Sequence, residues 1–423
     1  PMATKTSTLR ETVAAQARAA KAAALKMQGV STAQKNQALE FLAQALERNH
    51  EAILAENRLD VEEARRAGVK PAFLERLTLN AGRLVALAQS VRNVTGLADP
   101  VGEITARIRR PNGLRIVQVR GPSGVIAFIY ESRPNVTVDA AVLCVKAGNA
   151  VILKGGSEAI NTNRVLASLI GKALTDAGLP ADVVQFLDTI DRSAVPELVK
   201  LDRWVDLVIP RGGEALIRFI KEQATVPVLG HGKGLCHVYV DRSADPAMAE
   251  EIIFNAKASR PDLCNAMETL LVHVDAAAAV LPRAAERLAK AGVELRGDER
   301  ARGLVPGMKT ANAEDWDTEY LDLILAVRIV DSLEEAIEHV NRHSSGLSET
   351  IVTEDKKAAK RFLEQVDSAV VYHNASTRFT DGGEFGFGAE IGIATGRLHA
   401  RGPMALRELT TTKYLVYGTG QVR

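Results

Sequence analysis

Cys264 is the residue whose type and setting in this sequence suggest covalent chemistry. It lies in the stretch KASRPDLCNAMETLLVH, from Lys257 to His273, where polar residues and a proline give way to an apolar run. A cysteine nucleophile needs thiolate character, which a helix N-terminus or a nearby cation supplies. A lone cysteine is more often a small buried hydrophobe. The polar flanks therefore favour a nucleophile, while a packing role stays open.

The remaining cysteines have a different setting. Cys144 and Cys236 sit inside apolar runs, and we assign both to packing. The three cysteines of the chain form no CxxC pair, so we expect neither a disulfide framework nor a metal site. A reducing, cytosolic compartment fits this cysteine usage, and we expect a cytoplasmic location.

Two glycine pairs follow strand-like runs and could serve a cofactor. VILKGGSEA places Lys154 before one pair, with Ser157 at a helix start. VIPRGGEAL places Arg211 before Gly212 and Gly213. A cation at a strand end can reach a ribose or phosphate oxygen, and glycines let a ligand approach the backbone. The GxGxxG fingerprint of dinucleotide sites is absent, so the prediction depends on the repetition of the arrangement.

Charge and hydropathy exclude several classes of partner. The 423 residues include 53 basic and 52 acidic side chains, which gives no electrostatic case for nucleic acid or an anionic membrane. No apolar stretch reaches the roughly 18 residues that indicate a membrane span. We therefore expect a small-molecule ligand rather than nucleic acid or membrane.

The elements that would position these residues are helices and strands in alternation. Residues 7 to about 95 read as helices, and buried strands then alternate with helical segments. This pattern predicts a doubly wound parallel sheet. It restarts after Cys264, which predicts a second α/β unit, and TTTKYLVYGTGQV reads as a strand-like tail.

The order of the motifs resembles that of the aldehyde dehydrogenase superfamily. The resemblance is carried by GVIAFIYESRPN, AGNAVILKGGSEA, VIPRGG, LGHGKG and the cysteine segment, and it covers nearly all of the chain after residue 7. NASTRFTDGGEFGFGAEIGIATGRLHARGPM is similar to one branch of that superfamily. The resemblance to this branch implies NADPH-dependent reduction of L-glutamate 5-phosphate to L-glutamate 5-semialdehyde, with release of phosphate, in proline biosynthesis.

The resemblance also implies the fold: two Rossmann-type α/β domains plus a β oligomerisation flap. We expect an NADP-binding domain at 7–104 and 121–234 and a catalytic domain at 235–401. The flap would comprise 105–120 and 402–423. Because an exposed two-stranded element is marginal alone, we expect a homodimer or homotetramer. A contact with glutamate 5-kinase is left open.

Catalytic roles follow from the resemblance alone. It implies that Cys264 attacks the acyl phosphate and forms a thioester, with Asn135 as the side-chain oxyanion donor. Glu319 matches the glutamate that contacts the nicotinamide ribose. Hydrolytic relatives carry a water-activating glutamate four residues before the lysine of their ELGGK segment, and the matching residue here is Leu229.

Cofactor and substrate contacts follow in the same way. NAD-preferring relatives place a glutamate where this chain has Ser157, so a 2′-phosphate would not be repelled, and Arg211 could pair with it. We therefore predict NADP(H) over NAD(H). The implied substrate also carries an α-carboxylate and an α-ammonium group, which Arg378 and Ser376 could bind, and Arg260 could meet its phosphate. A role in surface salt bridges stays open for each of these residues.

Two other functions remain open at this point. A coenzyme-A-acylating aldehyde dehydrogenase also dispenses with the water-activating base. A nucleotide-binding regulatory protein, in which Cys264 is only structural, would fit the glycine pairs as well.

Overall fold

The computed structural model describes residues 2–131 and 133–423, and for residues 2–8 and Ala72 it describes only the backbone. This chain divides into two compact units. Unit 1 comprises the residues up to Gly230 together with Phe387–Gly392 and Met404–Arg423. Unit 2 comprises His231–Gly386 and Ile393–Pro403. The roles assigned above to particular ranges stay predictions.

Unit 1 begins with helices, as the alanine- and leucine-rich sequence predicts. Ser31 and Asn80 accept hydrogen bonds from the backbone N–H groups of Gln34 and Arg83, so two of these helices have side-chain N-caps. The helices are α1 (Met2–Met27), α2 (Thr32–Arg48), α3 (His50–Arg66), α4 (Pro71–Leu77) and α5 (Ala81–Gly96).

Strands and helices then alternate in unit 1. The elements are β1 (Ile104–Arg109), β2 (Arg115–Pro122), β3 (Val125–Tyr130), α6 (Asn135–Lys146), β4 (Ala150–Lys154), α7 (Ile160–Asp176), β5 (Val184–Phe186), α8 (Ala194–Leu198), β6 (Leu207–Arg211) and α9 (Glu214–Gln223). Four of the strands form a parallel sheet in the order β5-β4-β3-β6. Strands β3 and β4 are buried along their whole length, and their sequences are apolar up to Lys154 at the end of β4.

Unit 2 is a second doubly wound sheet. Its elements are β7 (Cys236–Val240), α10 (Pro246–Ala258), β8 (Met267–His273), α11 (Val274–Lys290), β9 (Glu294–Gly297), α12 (Glu299–Leu304), β10 (Lys309–Thr310), β11 (Ile324–Val330), α13 (Leu333–His343), β12 (Ser348–Val352), α14 (Lys356–Gln365) and β13 (Val370–His373). The strands pair in parallel in the order β10-β9-β11-β8-β7-β12-β13.

Successive residues of one strand in unit 2 enter different cores. Val238 and Val240 pack with residues of α10 and α11, whereas Tyr239 between them packs with residues of α13 and α14. Because strand side chains alternate between faces, helices cover the sheet on both sides.

The last strands are β14 (Gly392–Ala394), β15 (Gly402–Met404) and β16 (Thr410–Tyr417). Strands β14 and β15 form a two-stranded sheet. Strand β16 pairs antiparallel with β2, and β2 pairs antiparallel with β1, so unit 1 also carries a three-stranded antiparallel sheet. Among the helices with described residues, none combines the length and the apolar character that crossing a bilayer requires.

Candidate active site

The carboxyl edge of the unit 1 sheet gathers the predicted cofactor residues. Lys154 ends β4 and Arg211 ends β6, on the two flanks of β3. The chain proceeds from β3 to β4 on one flank and later places β6 on the other, so the order reverses between β3 and β6. Ligands of open parallel sheets bind beyond the carboxyl strand ends at such a reversal.

The loop after β4 holds its lysine inside the fold. The Lys154 side chain is buried, and its Nζ donates to the Gly155 carbonyl oxygen at 2.8 Å. Burial lowers the pKa of Lys154, and the nearby carboxylates of Glu158 and Asp191 oppose that shift. Ser157 is exposed and begins a turn of 3₁₀ helix. The loop therefore offers one enclosed cation and one accessible hydroxyl.

A backbone N–H in the turn after β6 binds a carboxylate side chain of unit 1. The Glu131 carboxylate accepts a hydrogen bond from the backbone N–H of Gly213 at 2.9 Å, where α9 begins. A Cβ on Gly212 would lie 2.4 Å from that same carboxylate. Helix N-termini stabilise negative charge because their first N–H groups have no helical partner. This turn therefore offers a backbone N–H donor that could bind a phosphate group.

Asn135 is the first residue of α6, and its amide already has a partner. Its Nδ2 donates to Asp139 Oδ2 at 2.9 Å, one helical turn further on. Burial raises the pKa of Asp139 to about 6, while the Asn135 hydrogen bond and the charge of Arg211 lower it. The amide has a second N–H, which can donate to a substrate oxygen while this bond stays in place.

In unit 2, Cys264 lies in the turn between α10 and β8. It is half-buried, whereas Cys144 and Cys236 are completely buried. Its backbone carbonyl accepts a hydrogen bond from the Cys236 thiol at 3.3 Å, and its side chain packs beside Leu347 and Ile393. The cysteine with polar flanks is thus the accessible one.

Gly234 passes against the backbone of this turn. A Cβ on Gly234 would lie 1.9 Å from the Cys264 carbonyl oxygen and 2.7 Å from its Cα, distances that no side chain can occupy. The Gly234 N–H donates to Glu319 Oε1 at 2.8 Å, and Lys233 Nζ donates to the Asp317 carbonyl at 2.8 Å. Gly234 therefore contacts both the predicted ribose-binding glutamate and the backbone of the predicted nucleophile.

Arg378 is joined to the cysteine turn through Asn265. The Asn265 amide donates to the Thr380 carbonyl at 3.0 Å, and its side-chain oxygen accepts from the Arg378 guanidinium. Ser376 is buried, and its hydroxyl accepts from the Arg378 backbone N–H at 3.3 Å. The structure thus brings Ser376 and Arg378 to the side of the turn that carries the nucleophile.

Arg260 adds a second cation near the same turn. It is exposed and pairs with Asp262, with 3.2 Å between Nε and Oδ1. Burial and the charge of Arg260 lower the pKa of Arg378, while Cys264 and Asp262 raise it. Arg260, Cys264 and Arg378 are therefore close enough to interact electrostatically.

Sequence reasoning did not assign a role to Glu131, Gly234 or Asn265. Gly234 belongs to the LGHGKG motif, and Asn265 directly follows the cysteine, so both lie within segments that carry the family resemblance. Only the three-dimensional contacts show what they do. Leu229, where hydrolytic relatives have a carboxylate, is 1% exposed. In the part of the chain that the structure describes, no three His, Cys, Asp or Glu side chains are grouped to hold a metal ion.

Comparisons with known proteins identify the family of the chain. The sequence profile of the aldehyde dehydrogenase family matches residues 1–309 and 308–415. Gamma-glutamyl phosphate reductase from Carboxydothermus hydrogenoformans is 56% identical over 96% of this chain and 98% of its own. The structure of gamma-glutamyl phosphate reductase from Thermotoga maritima superposes with a TM-score of 0.96, at 49% identity over 97% of this chain and 99% of that one.

A more distant likeness concerns the fold alone. An acetylating aldehyde dehydrogenase from Geobacillus thermoglucosidasius is 20% identical over 99% of both chains, with a TM-score of 0.67. The family match and the near full-length identities confirm the fold and the kinship expected from the motifs. The chain therefore belongs to the aldehyde dehydrogenase family, on the branch of the gamma-glutamyl phosphate reductases.

Proposed function

We propose that this protein reduces L-glutamate 5-phosphate to L-glutamate 5-semialdehyde with NADPH and releases phosphate, a step of proline biosynthesis. The observation that carries the proposal is the 56% identity with a gamma-glutamyl phosphate reductase over nearly the whole chain. The half-buried Cys264 near the charge of Arg378 provides matching chemistry, since a cation favours the thiolate form of a cysteine.

In the first step, Cys264 Sγ attacks the acyl carbon of the substrate. A C–S bond forms, and the bond from that carbon to the phosphate oxygen breaks, so phosphate leaves with the electron pair. The acyl phosphate is already activated, and the protein mainly has to orient it and stabilise an oxyanion. We propose the Cys264 backbone N–H and the Asn135 amide as the oxyanion donors.

In the second step, the thioester is reduced to the aldehyde. When bound, the nicotinamide cofactor supplies the hydride for the acyl carbon. The C–S bond then breaks, and Cys264 recovers its thiolate. The buried Leu229 cannot activate water, so nothing at that position diverts the thioester to glutamate.

The cations near Cys264 suit the charges of the substrate. We propose that Arg378 and Ser376 bind the α-carboxylate, because a hydroxyl that accepts from a backbone N–H still has its own hydrogen to donate. Arg260 is exposed and would pair with the phosphate group. Its ion pair with Asp262 would have to open in exchange.

An assay of the reverse reaction tests the proposal. Glutamate 5-semialdehyde should reduce NADP⁺ only when phosphate is present, because phosphate must release the acyl group from the cysteine. The wild-type protein with arsenate-free, phosphate-free buffer serves as the control. A rate that depends on coenzyme A and not on phosphate would support the acylating alternative, for which the likeness at 20% identity shows only a common fold.

Lys154, Ser157, Arg211, Gly212, Gly213 and Glu319 are the residues we propose for binding NADP(H). The Gly213 N–H at the start of α9 already binds the carboxylate of Glu131, so it fits a cofactor phosphate that displaces this carboxylate. Ser157 is exposed and uncharged, and Arg211 ends β6, on the other side of β3 along the same sheet edge.

We predict a preference for NADPH over NADH in kcat/KM. Ser157→Glu should reverse this preference by about tenfold or more, because a carboxylate repels the 2′-phosphate and accepts from a 2′-hydroxyl. Ser157→Ala is the matched control and should keep the preference for NADPH. A wild-type protein that clearly favours NADH would contradict the assignment.

We propose that the three-stranded sheet of unit 1 binds a second copy of the chain. Its outer strands carry exposed apolar side chains, among them Ile108 at 43% and Tyr414 at 60% exposure, and unpaired strand edges favour pairing. Light scattering at micromolar concentration should show at least a dimer. Val416→Lys, on the exposed part of β16, should shift the protein toward monomer, and a monomeric wild type would refute this proposal.

A further inference from the structure

A buried ion pair lies next to the segment that carries Glu319. Lys257 near the end of α10 and Glu268 in β8 have side chains that are 0% and 1% exposed, with 2.6 Å between Nζ and Oε2. Burial lowers the pKa of Lys257 and raises that of Glu268 to about 7, so each partner loses hydration to stay here. A pair of apolar side chains would fill such a place without the free energy that is needed to remove two charges from water. An acceptor oxygen at this place therefore needs a reason other than packing.

Glu268 also fixes a strained backbone position. Its second carboxylate oxygen accepts a hydrogen bond from the Leu321 N–H at 3.1 Å. Leu321 has a φ of 52°, in the left-handed region that a leucine avoids. Its side chain is 46% exposed, so burial of that side chain does not hold the conformation. A strained residue persists only where its surroundings hold it in place. For Leu321, the hydrogen bond from its N–H to Glu268 provides such a hold.

Lys257 contacts the residue between Glu319 and Leu321. Its Nζ lies 5.9 Å from the centre of the Tyr320 ring, within the range of a cation–π contact. The Tyr320 hydroxyl donates to Asp315 at 2.6 Å, which fixes the far end of the ring. The pair therefore contacts both residues that follow Glu319.

Glu319 in turn contacts the nucleophile segment. Its carboxylate accepts from the Gly234 N–H, and Gly234 abuts the carbonyl of Cys264. We propose that Glu268, with Lys257 as its buried counter-ion, is a positioning residue that holds Glu319 in place by fixing the backbone at Leu321. This inference rests on the proposed function, in which Glu319 contacts the nicotinamide ribose.

Two double variants separate the hydrogen bond to Leu321 from the charges. Lys257→Met/Glu268→Gln removes both charges and keeps a side-chain oxygen for Leu321. Lys257→Met/Glu268→Met also removes that oxygen. We expect the KM for NADPH to rise about tenfold or more in the second variant and less than threefold in the first. Equal KM values in the two variants would overturn the proposal.

A matched ion pair controls for the loss of stability. Lys35 and Asp99 in unit 1 also form an enclosed pair, with 2.5 Å between Nζ and Oδ2 and 2% and 8% exposure. Lys35→Met should lower the Tm and leave the KM for NADPH unchanged. A rise in KM equal to that of the Glu268→Met double variant would mean that any lost buried pair has this effect, and would overturn the proposal.

The effect must pass through Glu319. In a Glu319→Gln background, Lys257→Met/Glu268→Met should raise the KM for NADPH less than twofold further. The reason is that the cofactor contact of residue 319, which Glu268 supports, is already altered. A full additional tenfold rise would refute the route through Glu319. The affinity for NADPH, measured by its fluorescence on binding, gives the same comparison without turnover. A wild type that bound NADPH but lacked semialdehyde activity would refute the proposed reaction. The NADPH affinities of the variants would then still test the positioning of Glu319.

One measurement on the wild type needs no variant to fold. The Leu321 amide should exchange its hydrogen slowly, on the scale of the unit 2 strands, because it donates to an enclosed carboxylate. Fast exchange at Leu321 would contradict the proposal directly.

Discussion

Replacing Cys264 by serine is expected to lower kcat by at least about 10³-fold while NADPH still binds, because the hydroxyl group of serine is almost never ionised at neutral pH and the covalent step then has no nucleophile. The affinity for NADPH should stay within a few-fold of the wild type, since the proposed phosphate- and ribose-binding side chains are unchanged. The measurements are phosphate-dependent reduction of NADP⁺ and the fluorescence of bound NADPH.

Cys144→Ala is the matched control for this experiment. Cys144 is fully buried in α6, and burial raises the pKa of its thiol well above the ordinary value, so it is an inert packing residue. Its alanine variant should keep kcat and lose some stability. Activity near the wild-type level in Cys264→Ser would make the cysteine a structural residue and refute the thioester mechanism.

The sequence could predict which cysteines are fully buried and which one is half-buried. Cys144 and Cys236 lie in apolar runs that became buried elements, and Cys264 lies among polar residues that became a half-buried turn. Local hydropathy carries this information because burial follows the apolar period of helices and strands. The two sheets were predictable on the same grounds, and family motifs added the roles.

Contacts between distant segments could not be predicted in this way. Lys257 and Glu268 both belong to the segment around Cys264, yet their ion pair needs the end of α10 to lie beside β8. Likewise, the carboxylate of Glu131 reaches the start of α9 only because β3 and β6 are neighbours in the sheet. Such contacts depend on strand order and register, which propensity and periodicity do not specify.

The second large effect is expected for Gly234→Ala. The added Cβ would lie 1.9 Å from the Cys264 carbonyl oxygen and 2.6 Å from its carbonyl carbon. These are backbone atoms, so no side-chain rotation can relieve the overlap, and one of the two segments must move by more than about 1 Å. Misplacement of a reacting group by about that distance can cost about 10²-fold in rate. We therefore expect kcat/KM to fall by about 10²-fold or more.

Gly303→Ala is the control in the same unit. Gly303 lies in α12, a Cβ there would have no atom within 4 Å, and alanine is the better helix former by about 1 kcal/mol. This variant should keep full activity and an equal or higher Tm. If Gly234→Ala instead kept wild-type kcat/KM, the two backbones would not meet as the structure has them. The close approach would then have no part in holding the nucleophile. A fall in kcat/KM together with an unchanged Tm would place the effect at the reacting sulfur rather than in the fold as a whole.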